Sequence, residues 1–215
     1  MADEALRRLQ SGVEEINLNL VQSQFDQLLD YVDLMLRWNR AYNLTAVREK
    51  GSMVVRHLLD ALVISPLLQG KRLIDVGTGP GIPGVPLAIV QPERHFTLLD
   101  GNGKKTRFLF QVKSQLGLSN IEIVEQRVEN FRPHDSFDAV ITRAFADLAT
   151  GCRVCGHLMD ADTVFYAMKS SCSREELEAV GPGYRVLQEY PLEVPFLKEN
   201  RTLVVLKRAS KDSQP

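Results

Sequence analysis

The segment LIDVGTGPGIPG, residues 73–84, decides the fold. Leu73–Val76 is a short apolar run of the kind that forms a buried strand, and Gly77 follows it without a spacer. A sharp turn there needs a residue that accepts positive φ and lets a ligand approach the backbone, which glycine does. Two glycine patterns overlap. Gly77, Gly79 and Gly81 read as G-x-G-x-G, whereas Gly79, Gly81 and Gly84 read as G-x-G-x-x-G, the dinucleotide fingerprint. The helix that follows begins near Pro83 or Gly84.

A dinucleotide site seats its pyrophosphate on the N-terminus of that helix, against unpaired backbone N–H groups. Pro80, Pro83 and Pro86 each remove one such donor. A donor-poor loop cradles a pyrophosphate badly. It suits an adenosine cofactor that carries no phosphate, such as the sulfonium S-adenosylmethionine. The next strand ends in Asp100, about 20 residues beyond the loop, where a carboxylate accepts from both ribose hydroxyls. NAD sites and S-adenosylmethionine sites share that device, so Asp100 does not choose between them.

Working outward, short apolar strands continue as HFTLLD, IEIVEQ, FDAVITRA and TVFYAMK. Helical stretches separate them at 84–90, about 103–117, about 146–158 and 173–180. Alternating strand and helix predicts an α/β chain with a parallel sheet covered on both faces. The end departs from this rhythm. YRVLQEYPLEV and RTLVVLKR are joined only by PFLKEN, too short for a helical crossover, so they pair antiparallel. That final pair favours the methyltransferase version of the fold. Before the loop, residues 1–68 read as a helical extension, with FDQLLDYVDLMLRWN and the apolar helix MVVRHLLDALVISPLL on either side of YNLTAV. Three parts follow: the extension 1–68, a cofactor-binding domain 69–208 and a disordered tail 209–215.

Composition excludes several classes. Hydrophobic residues make up 44% of the 215, enough for a core, and no apolar run is long enough to span a bilayer. The start MADEALRRLQ has no apolar signal core, and three cysteines cannot all pair within one chain, which together predict a cytoplasmic protein. The formal net charge of −1 makes the chain no polycation, so nucleic-acid binding has to come from a local patch. Lys104, Lys105 and Arg107, with Lys113 beyond them, form an acid-free basic run. Arg37, Arg40, Arg48, Lys50 and Arg56 flank Trp38 and Tyr42, either of which can stack on a base.

Nearly the whole chain, from about residue 20 to 208, resembles the bacterial small-subunit rRNA guanine-N7 methyltransferases, also called the glucose-inhibited division protein B family. WNRAYNLTAV, RHLLDAL, LIDVGTGPGIPG, FTLLDGNGKKTRFL, QRVENF, ITRAFA and FYAMK carry the resemblance, and the double Pro-Gly of the loop is its most specific part. The resemblance implies a Rossmann-like, seven-stranded S-adenosylmethionine-dependent methyltransferase fold behind a helical extension. It implies methyl transfer to N7 of one guanine of 16S rRNA near the decoding centre, guanine 527 in conventional rRNA numbering. The substrate is then 16S rRNA in the small ribosomal subunit or an assembly intermediate, and nothing in the sequence demands more than a monomer.

Residue by residue, the resemblance puts the methionine part of the cofactor near Gly77, Gly79 and Ile82, the ribose on Asp100, and the adenine by Val128 and Glu129. It puts Arg143 beside both cofactor and target base. Gly101, Ala61 and the missing glycine after Lys169 depart from the family pattern, and none of them touches the proposed cofactor contacts.

Guanine N7 has an in-plane lone pair and no proton, so attack on a sulfonium methyl needs no general base. Positioning and electrostatics carry the reaction, and Arg143 is a positioning residue rather than an acid or base. The C-x-x-C of Cys152 and Cys155 has no second tight pair, so no metal is expected. His57 and Asp60, one helical turn apart, are expected to form a structural hydrogen bond linking the extension to the main domain. Two other functions compete: an NAD-dependent oxidoreductase, and a non-catalytic rRNA-binding or ribosome-assembly factor that keeps the fold.

Overall fold

The computed structural model describes residues 2–209. Apart from Ala209, the expected disordered tail lies outside the described residues. Seven strands form one sheet: β1 (Arg72–Val76), β2 (His95–Asp100), β3 (Ile121–Glu125), β4 (Ala139–Arg143), β5 (Val164–Lys169), β6 (Tyr184–Leu192) and β7 (Arg201–Arg208). Their order is β3-β2-β1-β4-β5-β7-β6. The first five run parallel, and β7 is antiparallel to both β5 and β6. The chain reverses direction across the sheet between β1 and β4, the switch point where such sheets open a ligand crevice at the carboxyl ends of their strands.

Alternation along β1 feeds two cores. Leu73 joins a buried cluster that includes Leu9, Leu28, Met35, Leu59, Leu98 and Phe108. Ile74 and Val76 face the other way, toward Val140, Phe165, Leu148, Cys152 and Cys155. The first cluster belongs to the side covered by α1 (Ala2–Glu15), α2 (Gln22–Tyr42), α5 (Gly84–Val90) and α6 (Gly103–Leu116), the second to that of α7 (Leu148–Cys155) and α8 (Arg174–Glu178). The period places Asp75 and Asp100 on the side of the N-terminal helices.

The apolar helix expected over 53–68 is not continuous. It runs as α3 (Lys50–Met53), a π-helical segment Val54–Leu59, α4 (Asp60–Leu62) and a 3₁₀ turn Ser65–Leu67. The extra residue in a π turn rotates everything beyond it, so helical spacing no longer says which side chains stack. Among the described residues no helix is long and apolar enough to cross a membrane.

Candidate active site

The loop after β1 uses its own backbone donors internally. The N–H groups of Gly77 and Thr78 both go to the Leu99 carbonyl, and those of Gly81 and Ile82 to Thr78 O. Gly79 N–H donates to Asp100 Oδ2 at 2.8 Å and Gly84 N–H to Asp75 Oδ2 at 2.9 Å. Gly77 has φ +70°, and a Cβ there would lie 2.7 Å from the Phe145 ring. A Cβ at Gly84 would lie 2.3 Å from Leu98 Cδ2, so the helix enters against β2 only with glycine at its first position.

Asp75 answers the question raised by the two glycine patterns. Its carboxylate is fully buried at the N-terminus of α5 and also accepts from Thr78 Oγ1 at 2.6 Å, while Oδ1 has no hydrogen-bond partner. Burial raises its pKa to about 6, against the pull of the Thr78 and Gly84 hydrogen bonds and of Arg143. The place where a dinucleotide fold keeps its phosphate already holds an anion. A diphosphate there meets repulsion and no donors, whereas a cationic cofactor meets attraction.

A cavity of about 640 Å³ opens at the carboxyl ends of β1, β2 and β3. Gly77, Asp100, Asn102, Val128, Glu129 and Phe145 line it. Asp100 is fixed from both sides, since Oδ1 accepts from Asn102 N–H at 2.8 Å and Oδ2 from Gly79 N–H. A carboxylate oxygen has lone pairs for more than one donor, so Asp100 keeps acceptor capacity for a ribose. Val128–Asn130 is a 3₁₀ turn, and the opening N–H groups of such a turn have no carbonyl of their own to bond. Backbone donors, two carboxylates and no phosphate cradle suit S-adenosylmethionine.

Three of the residues expected at the cofactor, Ile82, Gly79 and Arg143, do not line this cavity. Ile82 is only 5% exposed and packs into the core beneath the N-terminal helices, because the tight turn at Gly81 directs it inward. Gly79 lies behind Asp100, with Lys105 Nζ as its nearest side-chain neighbour.

Arg143 lines a second cavity of about 290 Å³, at the carboxyl ends of β4 and β5. Phe145 lines both cavities and forms the partition between them. The intervening Ala144 has φ +48°, a conformation that L side chains rarely adopt and that a working site retains. Arg143 pairs with Asp60 Oδ2 at 2.9 Å and donates to the Arg56 carbonyl at 2.9 Å. Arg201 Nε holds Asp60 Oδ1 at 2.7 Å. Antiparallel pairing sets Lys169 opposite Thr202, which is why Arg201 reaches this end of the sheet. Lys169 sits on the cavity wall, bonded to Glu176 and to the Ala146 carbonyl.

The expected His57–Asp60 hydrogen bond is absent. His57 Nδ1 meets the Arg56 carbonyl and Nε2 meets Thr45 Oγ1, both at 2.9 Å, so the proton sits on Nδ1 and the threonine hydroxyl donates. The link between extension and main domain runs through Asp60 instead. Burial and the nearby Arg143 lower the His57 pKa to about 4. The π segment is the physical reason for the mismatch, since an i, i+3 pair does not stack across it.

Of the basic run, Lys104 and Arg107 are exposed, while Lys105 lies 3.7 Å from Asp100 at the edge of the cofactor cleft. Trp38 is half-buried against Phe108 and Tyr42, which makes it part of the packing, and Tyr42 is the more exposed ring. Cys152 and Cys155 are buried in apolar surroundings that push their thiols up to about 11 and 12. Among the described residues no three His, Cys, Asp or Glu side chains cluster as a metal site.

A seven-stranded sheet with an antiparallel last-but-one strand, a carboxylate at the end of β2 and a phosphate-free cleft together define an S-adenosylmethionine-dependent methyltransferase. A solved S-adenosylmethionine-dependent methyltransferase from Aquifex aeolicus superposes with a TM-score of 0.53 at 18% identity, covering 70% of this chain and 90% of that one, which shows the shared fold. The sequence signature of the rRNA small subunit methyltransferase G family matches residues 24–205, and the chain belongs to that family. It is 49% identical over 205 residues to ribosomal RNA small subunit methyltransferase G of Klebsiella pneumoniae, covering 95% of this chain and 99% of that protein. The protein of that name from Saccharophagus degradans is also 49% identical, over 96% of this chain and 93% of its own.

Proposed function

We propose that the chain transfers the methyl group of S-adenosylmethionine to N7 of one guanine of 16S rRNA, in the small ribosomal subunit or a precursor of it. The single observation that carries this reading is the pair of cavities sharing Phe145, one furnished for an adenosine and the other walled by Arg143, Lys169 and Arg201. The cofactor supplies an electrophilic methyl on a sulfonium. The chain's own residues bind, orient and exclude water. Asp100 and the Val128–Glu129 turn hold the adenosine. The cations of the second cavity match the O6 and N7 acceptors of a guanine edge and the phosphates beside it. A bond to O6 leaves the N7 lone pair for the methyl. Asp60 offsets the charge of Arg143, so the cation that orients the base opposes the cationic product less.

Incubation with methyl-labelled S-adenosylmethionine and small subunits from cells lacking this gene tests the reading, with chain scission at N7-methylguanine locating the product. Label on one guanine supports it. Tight binding of rRNA without label supports the non-catalytic assembly factor.

A further inference from the structure

The loop joining β6 to β7 has a feature that stability does not account for. Leu197 N–H closes a turn onto the Val194 carbonyl at 3.0 Å, with Pro195 and Phe196 at the two central positions. Phe196 has φ +64°. Proline followed by positive φ is a type II turn, whose second central position ordinarily takes glycine. A bulky side chain there is strained, and nothing is gained by burial, because Phe196 remains 55% exposed.

This ring stands in a groove of about 500 Å³ together with Arg8, Arg56, Leu197 and Lys198. The groove is tied to the second cavity in two ways. The Arg56 carbonyl is the acceptor for Arg143, and Glu199, which pairs with Arg56, is two residues from Arg201 on the cavity wall. Glu199 also lines the groove and pairs with Arg56, and Arg8 pairs with Glu4, which leaves Lys198 as the groove's cation without a carboxylate partner among the described residues. An exposed aromatic ring beside that cation, next to a pocket for a base, is the combination a single-stranded nucleic-acid track uses. Such tracks stack bases on rings and neutralise phosphates with Lys and Arg.

We infer that the β6–β7 loop is a second RNA contact, in which Phe196 stacks on an unpaired base flanking the target nucleotide and Lys198 meets a backbone phosphate. The inference rests on RNA being the substrate, as proposed above.

Phe196→Gly tests it, because glycine relaxes the turn. The variant is expected to melt at the same temperature as the wild type or higher. It should bind S-adenosylmethionine unchanged and raise KM for small subunits about 5- to 150-fold, the range of one lost base–aromatic stack. Phe196→Trp should restore KM. Lys198→Ala should reduce the slope of log affinity against log salt by about one phosphate contact. An unchanged KM in Phe196→Gly overturns the inference. So does a KM effect seen with assembled subunits but absent with deproteinised rRNA, which would make the ring a protein contact. Failure of the wild type to methylate or bind rRNA would instead remove the proposed function itself.

Discussion

Asp60 of the N-terminal helices and Arg143 at the end of β4 meet as an ion pair at 2.9 Å, with Asp60 only 1% exposed and Arg201 closing its other oxygen. The N-terminal helices thereby set the direction of a cation at the carboxyl end of β4. Removing Asp60 leaves two guanidinium groups facing each other. Loss of one partner of a buried pair costs 3–5 kcal/mol. Both arginines keep some solvent, so Asp60→Ala should cost about 3 kcal/mol. Asp60→Asn, which keeps the shape and loses the charge, should cost less. Urea denaturation measures both, and a value within 0.5 kcal/mol of wild type for the alanine variant, the usual range for surface changes, would deny the network its role.

Arg143→Ala should lower kcat/KM for methyl transfer on the order of 100-fold, while S-adenosylmethionine affinity stays within about twofold. Arg143→Lys should not rescue it, because Nη2 alone holds Asp60 and the Arg56 carbonyl and the rest of the planar guanidinium stays available to the base, whereas an ammonium has one nitrogen for all of these partners. Steady-state kinetics alongside calorimetry of cofactor binding separates the two quantities. Equal losses in both would move Arg143 to cofactor binding.

Asp100→Ala should weaken S-adenosylmethionine binding by about 1.5–3 kcal/mol, the value of hydrogen bonds to a charged group. It also frees the Gly79 and Asn102 N–H groups, so Asp100→Asn, which retains an acceptor for one of them, is the companion variant. Titration calorimetry reads both. Unchanged affinity in a folded Asp100→Ala protein would take the ribose away from this residue.

Two buried groups titrate against each other. Asp75 has its pKa raised from 3.8 to about 6, so its contribution to stability is present below pH 3.8 and lost as pH rises through 6. His57 has its pKa lowered from 6.5 to about 4, so its contribution is present above pH 6.5 and lost as pH falls through 4. Each shift corresponds to about 3 kcal/mol, and the two slopes oppose between pH 4 and 6. Asp75→Asn should therefore lose stability on acidification more steeply than the wild type in that window, and His57→Gln less steeply. Urea midpoints from pH 4 to 8 decide. A slope for Asp75→Asn parallel to the wild type would show that Asp75 is not titrating there.

The strands and the glycine loop were legible because apolar runs between punctuating glycines and prolines are local signals. The antiparallel end was legible because PFLKEN is too short to cross over. Asp75 also left a signal, as a charged residue inside the apolar strand LIDV, although only the fold shows it sitting on the start of α5. The π segment left none, since one residue added to a helical turn does not change which residues are apolar. Asp60 with Arg143 and Arg201 was equally hidden. That contact joins three elements far apart in sequence, and spacing along any one of them favoured His57 as the partner.

The carboxylate capping α5 has a consequence for selectivity in a mixed nucleotide pool. With the adenosine held as proposed, ATP, NAD and S-adenosylmethionine would present the same group to Asp100 and Val128–Glu129, and those contacts would not tell them apart. Discrimination would then rest on the buried negative charge of Asp75 behind the loop, which would repel a polyanion and favour a cation. The loop that looks like a nucleotide fingerprint would then act as a filter against the phosphorylated competitors whose fingerprint it shares.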